Sequence, residues 1–145
     1  MLEAASKALF DEQVSRLQPS LLQLRRWHIL ARDFPVIDLV FGHETRPPLR
    51  LRLACDNWNE LPPSIELLDR EGSRLLSPPR DPAGVFNQGP HPATQRPFIC
   101  MRGSREYHTH SSHVDDHWDK LKMLSGYDLG GILTQVWKAW NKAQP

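Results

Sequence analysis

Apolar residues recur at Leu2, Leu9, Phe10, Val14 and Leu17, with alanine and charged positions between them, which predicts an N-terminal helix over residues 1–18. Pro19 helps to end it. The pattern then changes. Leu24, Trp27, Ile29 and Leu30 lead into Pro35 to Phe41, where β-branched and aromatic residues fill a run too short for a typical helix. Leu49 to Cys55 alternates apolar with charged, the period of a strand with one wet face, and puts Cys55 at its end or in the core. A further strand is predicted at Ser64 to Leu68, between Pro62-Pro63 and the turn residues Asp69 to Gly72. Three or four consecutive strands joined by short turns predict an antiparallel meander over 24–70.

From Ser77 to Pro97 six prolines fall in 21 residues, Pro78, Pro79, Pro82, Pro90, Pro92 and Pro97. Proline lacks the backbone donor and restricts its predecessor, so this is neither helix interior nor central strand. A loop this long within a compact domain points to function or disorder. It continues into a polar cluster, the two together spanning 77–118. Leu129, Ile132, Leu133, Val136, Trp137 and Trp140 then share one face of a C-terminal helix over 128–141, with Asp128 placed to cap it. The expectation is one α+β domain over 1–145: helix, four-stranded antiparallel meander, long Pro-rich loop, polar cluster, helix.

Composition changes this picture in one respect. A chain of 145 residues with 39% apolar residues builds its core without disulfides or a metal. Its formal charge of +1 excludes the basic footprint of a general nucleic-acid binder. Two cysteines are too few for a disulfide scaffold, no signal sequence opens the chain, and no apolar run is long enough to span a membrane; a cytoplasmic protein with reduced thiols is expected. The histidines are uneven: of seven, five lie between His91 and His117 and four between His108 and His117.

That skew sits beside Cys100 and Glu106. Thiolate, imidazole and carboxylate together suit zinc, with four ligands closing a structural site and three plus water opening a catalytic one. Cys100, Glu106, His108 and His113 are the preferred set, with His110 the first substitute. In an extended segment His108 and His110 share a face, whereas on a helix His110 and His113 are neighbours; spacing leaves both open. The His-x-His of JAB-type metalloproteases lacks its downstream partners in this chain, since Trp118 stands eight residues after His110. There is no HExxH helix and no paired CxxC. Cys100 has two other readings: a nucleophile carrying an acyl group as a thioester, or a buried thiol in the short strand Phe98-Ile99-Cys100-Met101.

The element order resembles the ubiquitin-conjugating E2, or RWD-like, fold. Leu61-Pro62-Pro63-Ser64-Ile65-Glu66-Leu67 looks like that family's proline pair entering its fourth strand. His91-Pro92 stands where its His-Pro-Asn motif begins, and Ile99-Cys100-Met101 resembles the segment around its catalytic cysteine. Ala93 replaces the family's asparagine. Cys100, Glu106, His108 and His113 also resemble the bacterial predicted metal-binding Cys-Glu-His-His family, encoded beside ubiquitin-like, E1, E2 and deconjugating-protease genes. Together these resemblances imply an E2-like accessory protein, a noncatalytic or atypical variant that pairs with a catalytic E2 in a hetero-oligomer and also meets E1 or the modifier. They imply a structural zinc held by the Cys/Glu/His set; the near-neutral charge and the short apolar runs add the expectation of no nucleic-acid or membrane partner. The gene company extends the expectation to antiviral defence. The alternatives are an active E2 with its thioester on Cys100 and a zinc-dependent hydrolase using Glu106 as general base. The partner surface is expected on the Trp137/Trp140 helix or the Pro78 to Pro97 loop.

Overall fold

The computed structural model describes residues 1–81 and 84–142; Pro82, counted among the turn-forming prolines, lies outside the described residues. Helix α1, Glu3–Ser15, buries Phe10 and Val14. Pro19 does more than end it. It opens a second helix, α2, Pro19–Arg25, where its fixed φ and missing donor suit the first helical turn. Four strands follow: β1 Trp27–Asp33, β2 Val36–Phe41, β3 Leu49–Ala54 and β4 Ser64–Leu68, antiparallel in the order β1-β2-β3-β4. The predicted meander is present.

Alternation sorts the two faces of the sheet. Ile37, Leu39, Phe41, Leu49, Leu51, Leu53, Ile65 and Leu67 face the core, which α1 and the last helix share. On the other face Asp38 is buried beneath two arginines. Arg50 binds its carboxylate through Nε and Nη2 at 2.9 and 2.8 Å, and Arg52 Nη2 lies 3.3 Å away. The last helix, α4, spans Leu129–Lys142 and buries Leu129, Ile132, Leu133, Val136 and Trp140. Asp128 Oδ1 accepts from the Gly131 N–H at 2.7 Å, the cap that its position predicts.

The proline segment is not all loop. Phe86–Asn87 forms β5, paired antiparallel with β6, Phe98–Ile99, and the two make a small second sheet. Phe86 and Ile99 are fully buried in the shared core. The ribbon therefore fixes the residue that follows it, Cys100, whose N–H donates to Val85 O at 2.6 Å. After Cys100 comes a short helix α3, Arg105–His108, and two single 3-10 turns. Cys55 and Trp58 are sealed in the core, with Trp58 packed against Trp118. No helix among the described residues is long and apolar enough to cross a membrane.

Candidate functional site around Cys100

Ser104 organises the backbone after Cys100. It is fully buried, donates its hydroxyl to Ile99 O at 2.8 Å, and accepts from the Tyr107 N–H as the N-cap of α3. This aims Glu106 away from the thiol. Glu106 reaches β4, where it accepts from the Ile65 N–H at 2.7 Å and from the Ser64 hydroxyl at 2.6 Å. Burial pushes its carboxyl up, and these two hydrogen bonds work the other way.

The histidines are mostly turn-builders. His91, 1% exposed, accepts at Nδ1 from the Ala93 N–H at 3.0 Å and donates from Nε2 to Glu106 O at 3.0 Å. His110 accepts at Nδ1 from the Ser112 N–H at 3.1 Å, and its ring stacks on Phe98. His108 donates from Nδ1 to Asp116 O at 2.8 Å and accepts at Nε2 from the Gly103 N–H at 3.0 Å. Both its nitrogens are occupied in the neutral form, and burial pushes its pKa down.

His113 differs. Its ring stacks on Tyr107 with centroids 4.0 Å apart, and its Nε2 lies 3.5 Å from Cys100 Sγ. The thiol is partly exposed. Burial pushes its pKa up, while the Asn87 amide beside it pulls the other way. Tyr107 donates its hydroxyl to Asp116 at 2.7 Å, and Arg102 pairs with the same carboxylate at 2.8 Å, so the loop carrying His113 is tied down on both sides.

Of the expected ligand set, then, the fold brings His113 Nε2 to 3.5 Å from Cys100 Sγ and sets the His110 ring beside that of His113, centroids 5.7 Å apart. Glu106 and His108 spend their ligating atoms on β4 and on the local backbone, and His110 spends Nδ1 on its own turn. Among the described residues no group of three or more His, Cys, Asp or Glu is arranged to hold a metal ion. In this arrangement the ligating atoms of Glu106 and His108 do not converge with those of Cys100 and His113. Sequence reasoning passed over Asn87 because it lies in a proline- and glycine-flanked stretch that carries no strand signal. On the helix expected to carry the partner surface, Trp140 is 3% exposed and the half-buried Trp137 packs against Trp27 beneath Arg25.

No protein-family model matches the chain, and no curated protein matches it.

Proposed function

We propose that this chain is an E2-type carrier of a ubiquitin-like modifier, with Cys100 the thiol that accepts the modifier's carboxyl terminus as a thioester. The observation that carries this reading is the pairing of a partly exposed Cys100 with His113 Nε2 at 3.5 Å, at the end of β6. An acyl-accepting thiol must be reachable, backed by rigid structure and close to a base; the ribbon supplies the rigidity and His113 is the neighbour placed to take the proton. The order of elements supports the same reading, since helix, antiparallel meander, short ribbon and closing helix resemble the order expected of an E2-like fold.

A second reading keeps the fold and drops the chemistry: an accessory variant that pairs with a catalytic E2. Ala93 favours it, because it offers no side-chain amide where E2 enzymes carry asparagine, and so does the burial that raises the thiol. Incubation with E1, ATP and modifier of a bacterial ubiquitin-like system separates the two. The carrier reading expects a modifier adduct that reducing agent removes and that Cys100→Ser lacks. Absence of any adduct on the wild type, while E1 is charged, leaves the accessory reading.

A further inference from the structure

The β5–β6 register brings a second polar side chain to the thiol. Asn87 pairs with Phe98, and the Cys100 N–H bonds Val85 O, so Val85, Asn87, Phe98 and Cys100 share one face of the ribbon. Asn87 and Cys100 are diagonal cross-strand neighbours on that face, and the amide acts on the thiol as a hydrogen-bonding neighbour. The orientation of the Asn87 amide is fixed by its own turn. Its Oδ1 accepts from the Gly89 N–H at 2.8 Å, which identifies the oxygen and leaves the NH2 group as the end free to face the thiol. Asn87 is itself only half-buried, so an acyl group arriving at Cys100 lies beside it.

Resting on the carrier reading above, we infer that Asn87 is a catalytic residue of acyl transfer, its amide N–H donating to the oxyanion that forms when Cys100 is acylated or discharged. In the acylation step the Cys100 sulfur bonds to the acyl carbon and the carbonyl π pair moves onto oxygen. Collapse re-forms the carbonyl, breaks the donor C–S bond and expels the donor thiolate, which takes up the proton that left Cys100. The negative charge on oxygen exists only between these two events. A donor held by Gly89 before the reaction stabilises it without reorganising.

Alkylation by iodoacetamide uses the same thiol but forms no oxyanion, and this separates the role from any effect on thiol ionisation or access. The full chain is treated in parallel with S-acetyl-N-acetylcysteamine, a small thioester, and with iodoacetamide, and modification of Cys100 is followed by intact mass. Asn87→Ala is expected to slow acetylation about tenfold or more beyond whatever it does to alkylation, since loss of the amide's pull on the thiol slows both reactions alike and only acetylation passes through an oxyanion. Alkylation that persists at Cys100, while Cys55 stays unlabelled, also reports that the variant is folded around the thiol. Acetylation and alkylation slowed equally, or neither slowed, overturns the assignment of Asn87 and leaves the carrier reading standing. A wild type that alkylates at Cys100 but does not acetylate overturns both.

Discussion

His43, His91 and His110 each accept a hydrogen bond at Nδ1 from the backbone N–H two residues on, those of Thr45, Ala93 and Ser112. This is the task an aspartate or asparagine performs in an Asx turn, taken over by a ring that also packs. It requires a neutral imidazole. Loss of the ring at the buried member is expensive: His91→Ala orphans the Ala93 N–H and Glu106 O and empties the space against Phe98. A loss of about 2–4 kcal/mol is expected by urea denaturation. The same curves are expected not to move on addition of chelator, because these nitrogens are spent on the backbone; a midpoint that falls with chelator would contradict the assignment. The histidine skew marks the stretch that turns around Cys100. Its physical cause was not legible, since a backbone donor two residues away is visible only once the turn exists, whereas a cysteine and a glutamate nearby are visible at once and look like co-ligands.

At the scale of elements, α3 is four residues long and is held by what its side chains reach. Glu106 joins it to β4, and Glu106→Ala leaves the buried Ile65 N–H without its acceptor, for an expected loss of about 1–3 kcal/mol. Glu106→Gln keeps an acceptor for Ile65 and turns its amide to the Ser64 hydroxyl, so it should lie much closer to wild type in thermal melts. A similar loss in both variants would show that the carboxylate's charge, not its geometry, matters. The sheet carries a pH dependence of its own. Hydrogen bonds from Arg50, then the charges of Arg50 and Arg52, hold the Asp38 carboxyl below its ordinary value in spite of burial. The stability this contributes is present above the ordinary carboxylate range and is lost as acid protonates Asp38 through its lowered pKa. Asp38→Asn is therefore expected to cost about 1–3 kcal/mol at neutral pH, the gap from wild type closing well below about pH 4. Long periodic elements such as β3 and α4 were legible because alternation and helical spacing are local properties. Strand β5 was not. Two residues between proline and glycine acquire extended structure only from their partner, Phe98–Ile99.

For the molecule as a whole, one hydrophobic cluster runs from Phe10 in α1 through the sheet and the β5–β6 ribbon to Trp140 in α4. A single core of this size is expected to unfold in one cooperative step. The two cysteines stand at opposite ends of that cooperativity. Cys55 is fully enclosed, and desolvation pushes its thiol far up, whereas Cys100 lies at the surface of the ribbon. The chain thus carries its own two-channel gauge. Under native conditions a thiol reagent should label one site per molecule, and the second label should enter only as fast as the whole domain opens. Any partner, ligand or variant can then be scored in one tube, by the first label for what happens at the surface and by the second for what happens to the fold.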